Sequence, residues 1–248
     1  TTVVGKLYGD ARMPLICPTA SAEAYSSQSD CTFRLNPTIK VETEAMLVCA
    51  DAVGKKKLGV VYLNDDWGNR ASATLEQILE ENNPSGYEIV AKEAILGGDM
   101  DYSSVISNLK AAGAETAVMF CYYDSVVPFS IKAAQAYNTK LLNGVDFDLT
   151  EEEYAEYEKM LDIGGTGIMG YVQISAIGVN LPVYHSVDES VLQIAVGHIP
   201  GSSLPVGGER THSVLSGHRG LPSAKLFSDL DRMVEGDIFT LNVMGQTI

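Results

Sequence analysis

The chain has 248 residues, 46% of them hydrophobic, with 17 basic against 32 acidic side chains and a formal net charge of −15. That length and apolar content are enough to bury a real core in one large or two modest domains. The negative balance excludes a general nucleic-acid binder, because it repels phosphate backbones and the one basic run, "GKKKLG", is too short to reverse it.

No run of about 18 uncharged apolar residues occurs, so no segment reads as a membrane span. The opening "TTVVGKLYGD" has neither a basic n-region nor an apolar h-region, so a targeting segment is expected to be absent or already removed. Cys17, Cys31, Cys49 and Cys121 lack CxxC spacing, which argues against zinc or thioredoxin chemistry. They read as buried free thiols, with one disulfide as the alternative for an exported protein.

In chain order, "LGVVYL" (58–63) predicts a buried strand, and the next stretch, 69–82, places Ala71, Leu75, Ile78 and Leu79 on one helical face. The lysine run at 55–57 reads as a solvated helix end. "YEIVAKEAIL" predicts a second strand. "DYSSVISNLKAAG" predicts a helix with Val105, Ile106, Leu109 and Ala112 on one face, Asp101 or Ser103 at its start and Gly113 as its stop. "TAVMFCYY" returns as a strand. Alternating strands and helices of these lengths argue for a parallel sheet with helices on both faces, a doubly wound α/β unit over 31–148.

Beyond about residue 150 the texture changes. Thr150 and Glu153 form a capping box that opens "EEEYAEYEKML", with Tyr154, Tyr157 and Leu161 on one side. "YVQISAI", "LPVYH", "HSVLSGH" and "FTLNVM" then read as short strands between Gly- and Pro-rich turns, the pattern of a sandwich or barrel. "SAKLFSDLDRM" reads as the single helical interruption.

Ligands of open parallel sheets bind beyond the carboxyl ends of the strands. Those positions are "PTAS" after "MPLIC", "NDDWG" after "GVVYL", "YYD" after "AVMFC" and "GVDFD" after "KLL". Hydroxyls and backbone N–H groups of Thr19, Ala20 and Ser21 suit a carboxylate, Trp67 and Tyr122 suit an apolar wall, and Asp146 suits an ammonium. The set fits a small zwitterion. Packing at a sheet edge is the plainer alternative for Trp67, Tyr122 and Tyr123.

"MPLICPTAS", "FRLNPT", "KKLGVVYLNDDWG", "DYSSVISNLKAAGAETAVMF" and "GVDFD" resemble the branched-chain amino-acid class of ABC-transporter solute-binding proteins, over residues 1–148. The resemblance implies a Rossmann-like periplasmic-binding lobe, a small amino-acid ligand held between two lobes, a permease partner and no cofactor. The "PTAS" turn would contribute from the first lobe, which is incomplete here, so closure over a ligand lacks much of one wall.

"GTGIMGYVQISAIGVNLPVYHS" and "VGHIPGSSLPVGGERTHSVLSGHRGLPSAKLFSDLDRMVEGDIF" resemble the class C, pilus-assembling sortases of Gram-positive bacteria, over residues 149–248. That resemblance implies a mainly-β partial sortase barrel, a surface or pilin protein as partner and His218, in "SGHRG", as the catalytic histidine. The family's cysteine and arginine fall after this stretch and are not matched, so the chain is expected to be catalytically inactive as it stands. Neither pattern brings Cys121 to His218. Arg219 points to the opposite face if the strand continues, and His185, His198 and His212 lack metal-site spacing and read as turn or strand residues. The whole reads as a mosaic joined between about 130 and 150. Three functions follow: a binding module, an incomplete sortase, or a non-catalytic interaction piece with open strand edges. Both parent families imply an extracytoplasmic location, membrane-anchored in the full-length parent.

Overall fold

The computed structural model describes residues 4–52, 54–99, 101–142, 149–162 and 164–248. Two compact units divide the chain, Thr1–Met100 with Ser104–Val126 and Asp101–Ser103 with Val127–Ile248.

In the first unit α1 (Gly5–Asp10) precedes β1 (Leu15–Cys17), which pairs in parallel with β2 (Thr32–Arg34). The chain continues through α2 (Ile39–Ala52), β3 (Lys57–Leu63), α3 (Asp66–Glu81), β4 (Glu88–Ile95), α4 (Ser103–Ala111), β5 (Thr116–Phe120) and α5 (Tyr123–Leu141). β3 is the centre of a parallel sheet ordered β4-β3-β5. Its successive residues Val60 and Val61 are both fully buried, so the strand is covered on both faces and reads as an unbroken apolar run. Leu58, Ala71, Leu75, Val118 and Phe120 complete that core.

α3 starts at Asp66, three residues before the apolar face at 69–82 suggests, because the Asp65 carboxylate accepts from the Gly68 N–H at 2.7 Å and caps the helix. A Cβ at Gly68 would stand 2.2 Å from the Leu63 carbonyl oxygen, so only glycine lets α3 leave β3 so tightly. Asp101 accepts from the Ser103 N–H at 3.0 Å at the start of α4, and Gly113 follows the helix at φ +75°. Val105, Ile106 and Leu109 are buried, whereas Ala112 lies past the end of α4 and is exposed.

Three expectations change here. The "TAVMFCYY" strand stops at Phe120, and Tyr123 already opens α5. "KLL" is not a strand, because α5 carries its helical hydrogen bonding through Leu141; Asp146, in the "GVDFD" that follows, lies outside the described residues. The lysine run splits its work: Lys56 pairs with Asp51 in the last turn of α2, and Lys57 opens β3.

The second unit holds α6 (Glu151–Tyr157), β6 (Ile168–Ile174), β7 (Val179–Tyr184), α7 (Glu189–Leu192), β8 (Val196–His198), β9 (Leu215–Ser216), β10 (Thr240–Val243) and β11 (Gln246–Thr247). They form one six-stranded sheet ordered β11-β10-β6-β7-β8-β9, antiparallel except where β7 meets β8. Its core takes Val172, Ile174, Val183, Val196 and Val243 from the strands, Tyr157 from α6, and Val127, Ile131, Ala134 and Tyr137 from α5. Both halves of the Thr150–Glu153 capping box are present. Met244 and Gly245, at φ 53° and 78°, make the two-residue turn between β10 and β11, whose twist suits a tight hairpin.

"SAKLFSDLDRM" is not a helix. Leu226 sits at φ 35°, which interrupts any helical run, and only Leu230–Arg232 makes a single 3-10 turn. The apolar pair Leu226 and Phe227 is buried instead, with the Phe227 N–H donating to the His218 carbonyl at 3.1 Å. "HSVLSGH" contributes only Leu215–Ser216 as strand.

Candidate functional site

Two edges carry the residues singled out by the sequence. On the α/β unit, Trp67 is the second residue of α3, just after β3, and Tyr122 lies two residues after β5. β3 and β5 are register neighbours, Tyr62 opposite Phe120, so their carboxyl ends lie side by side. The two rings stack with centroids 5.2 Å apart and an interplanar angle of 14°. Trp67 is half-buried, and Tyr122 keeps 57% of its surface exposed, a flat apolar wall open to solvent.

The "PTAS" turn is held separately. Thr19 is exposed, Ala20 and Ser21 are buried, and the Ser21 carbonyl accepts from the Ile39 N–H at 2.9 Å, tying the turn to the start of α2. Arg34 fixes the segment that follows: its Nε donates to Ser26 Oγ at 2.8 Å, Nη1 to the Ala22 carbonyl at 3.1 Å and Nη2 to the Glu23 carbonyl at 3.2 Å. Sequence reasoning passed over Arg34; its only signal was a fork-shaped cation closing a short strand. Among the described residues no hydrogen bond or ring contact links Thr19, Ala20 or Ser21 to the stacked pair.

All four cysteines are free, and none is fully buried as the composition suggested: Cys49 is exposed and the other three are partly covered. Burial, then the charge of Asp124, pushes the Cys121 thiol up to about 11, which keeps it protonated and a poor nucleophile.

On the β unit, His218 follows β9 through Gly217, where a Cβ would stand 2.8 Å from the Phe227 ring. Its Nδ1 lies 2.9 Å from the Leu192 carbonyl oxygen. A carbonyl only accepts, so Nδ1 carries a proton and Nε2 is the nitrogen left to exchange one. Nε2 stands 3.9 Å from a Glu189 carboxylate oxygen, and the side chain is 32% exposed. Such a ring can take a proton from a nucleophile. No cysteine occurs between residues 127 and 248. Arg219, exposed, is engaged with Asp231 at 2.8 Å. Among the described residues no group of three His, Cys, Asp or Glu side chains is placed to hold a metal ion.

Sequence reasoning also missed a buried polar cluster behind this edge. His198, on β8, is 0% exposed; its Nε2 donates to the Ser203 carbonyl at 2.8 Å, and its Nδ1 lies 2.8 Å from the Tyr157 hydroxyl. That hydroxyl is also 2.8 Å from the His185 carbonyl, and the His185 ring faces the carbonyls of Gly167 and Met160. Burial pushes His198 down to about 4 and moves the Tyr157 phenol well above its ordinary range. His212, by contrast, is exposed in a loop.

Comparison with known proteins separates the same two parts. The family model described as "Periplasmic binding protein" matches residues 1–167, and that described as "Sortase domain" matches 172–248. Among solved structures, sortase C1 from Streptococcus agalactiae is 40% identical, over 60% of this chain and 70% of that one, at a TM-score of 0.48. Sortase C-1 from Actinomyces oris is 38% identical over 49% and 70%, at 0.44. A lid mutant of sortase A from Corynebacterium diphtheriae is 34% identical over 50% and 67%, at 0.47. Comparison with curated proteins found no match. With its model spanning residues 1–167, the chain belongs to the periplasmic binding protein family, and it carries a sortase domain match over residues 172–248.

Proposed function

We propose that the chain is an extracytoplasmic binding module whose α/β region, residues 1–148, takes a small branched-chain amino acid for an ABC transporter. Thr19, Ala20 and Ser21 receive the carboxylate, Trp67 and Tyr122 wall the side chain, and Asp146 takes the ammonium. The observation that carries this reading is the Trp67–Tyr122 stack, 5.2 Å between centroids, beside the carboxyl ends of two neighbouring parallel strands. Open α/β sheets bind ligands there because loops diverge at those ends and leave a crevice. The periplasmic-binding family match supports it. Among the described residues no helix is long and apolar enough to cross a membrane. Calorimetric titration with leucine, isoleucine, valine and alanine tests it: saturable heat with the branched-chain ligands is expected, and no heat at millimolar ligand overturns it.

A second reading rests on His218. With Nδ1 held by the Leu192 carbonyl, Nε2 is the nitrogen that can exchange a proton, which suits a segment of a class C sortase acting on a surface or pilin protein. Acyl transfer also needs a thiolate beside an oxyanion-stabilising cation, and residues 149–248 contain no cysteine, so the nucleophile would have to come from outside them. A sorting-signal peptide should survive intact with this chain alone. Turnover that disappears in His218→Ala would replace the first reading with this one.

A further inference from the structure

We propose that the buried His198 imidazole is an acid-sensitive latch that, while neutral, holds the segment leading to His218 against β8. Complete burial favours the neutral ring. Nε2 faces the Ser203 carbonyl at 2.8 Å and must donate, so a neutral ring has only Nδ1 left to accept from the Tyr157 hydroxyl at 2.8 Å. The same Nε2 is 3.1 Å from Ser202 Oγ.

Those two serines lace the segment before β9. Ser202 Oγ accepts from the Val214 N–H at 3.2 Å, and Ser203 Oγ accepts from the His212 N–H at 3.1 Å. The Ser203 N–H donates to the His212 carbonyl at 3.0 Å, and the Ile199 N–H donates to the Val214 carbonyl at 2.9 Å. β9 itself pairs with β8 at only two positions, Gly197 opposite Ser216 and His198 opposite Leu215. Two ladder positions are too few to fix a strand, so the serine contacts carry much of its attachment.

Protonation at Nδ1 turns the acceptor into a donor. The Tyr157 hydroxyl must then rotate to accept from it and give its own proton to the His185 carbonyl, 2.8 Å away. The added charge sits in a fully buried site. The groups facing it are the Tyr157 phenol from α6, the Ser203 carbonyl, the Ser202 hydroxyl and His185, just beyond β7. Around Tyr157 stand Tyr154 and Glu158 beside α6 and Tyr137 from α5. Among the described residues the polar contacts of the His198 ring are to Tyr157, Ser202 and Ser203, with no carboxylate at ion-pair distance to compensate a charge on it. A buried unpaired charge is costly, and opening the segment to water relieves it.

The sign follows from the ring's weakened hold on a proton, pushed from 6.5 down to about 4 by burial. The opened state binds the proton more tightly, so the latch is intact above pH 6.5 and weakens as the pH falls towards 4.

The test is imidazole nitrogen and carbon NMR on the full chain, with amide hydrogen exchange of His212 and Val214 followed on the same pH series. At neutral pH His198 should show a protonated Nε2 and a bare Nδ1. After correction for intrinsic exchange, protection of both amides should fall by up to about tenfold per pH unit between 6.5 and 4. His198→Gln, which keeps a donor for Ser203 but cannot titrate, should flatten that slope. A His198 ring that titrates at or above 6.5, a protonated Nδ1 at neutral pH, or an equal slope in His198→Gln overturns the proposal. If the variant does not fold, the wild-type series decides: ring titration and loss of protection must run together.

Discussion

The two units solve the same packing problem with different materials. Among the described residues the α/β unit buries the small hydroxyls of Ser21, Thr32, Thr43, Ser72 and Ser125 and the Tyr25 and Tyr87 phenols, set among an apolar core. In the β unit two imidazoles, Asn138, Ser202 and Ser203 are buried beside the Tyr157 hydroxyl, each with named partners. An apolar core tolerates imperfect neighbours because burial is non-directional, whereas a polar core holds only while its donors and acceptors match. Both units are fragile at points of close backbone approach, and the difference teaches that the β unit is fragile at its hydrogen bonds and under acid as well.

The largest expected effect sets the common baseline for the comparison, at one glycine in each unit. A Cβ at Gly68 would meet the Leu63 carbonyl oxygen at 2.2 Å, and one at Gly197 would meet the Ser186 carbonyl oxygen at 2.3 Å. Backbone cannot step aside as a side chain can, so Gly68→Ala and Gly197→Ala should each cost about 3 kcal/mol. Scanning calorimetry should show each variant lowering the transition of its own unit; unchanged transitions would remove the close-approach argument.

Next comes Asn138 on α5, which donates to the Leu204 carbonyl at 3.0 Å and accepts from the Leu204 N–H at 2.7 Å. Asn138→Ala leaves both buried main-chain groups unpaired and should cost about 2 kcal/mol in denaturant unfolding of the β unit. A loss no larger than that of an exposed substitution would break the comparison. The smallest effect is shared by both units: Asp65→Ala and Thr150→Ala each remove an N-cap and should cost about 1 kcal/mol.

What was legible in the sequence followed from short range. The β3 run, the α3 face with Ala71 and Leu75, and the Thr150–Glu153 box all rest on residues within a few positions of one another. Hidden were contacts whose partners lie far along the chain. Asn138 and Leu204 are 66 residues apart and Tyr157 and His198 are 41 apart, and nothing local to a polar residue marks it for burial. "SAKLFSDLDRM" misled for the converse reason: its helical spacing is real, but burying Leu226 and Phe227 behind His218 outweighs one marginal helix. Of the candidate site, the Trp67–Tyr122 pairing emerged from strand order, while Arg34's grip on the turn after "PTAS" needed coordinates.

Trp67 is the single tryptophan of the chain, so its emission reports the proposed ligand wall without a label. Titrating leucine while following that emission should give a saturable change at or below millimolar ligand, abolished in Tyr122→Ala. Emission that stays constant in the wild-type chain across the same range would contradict the account.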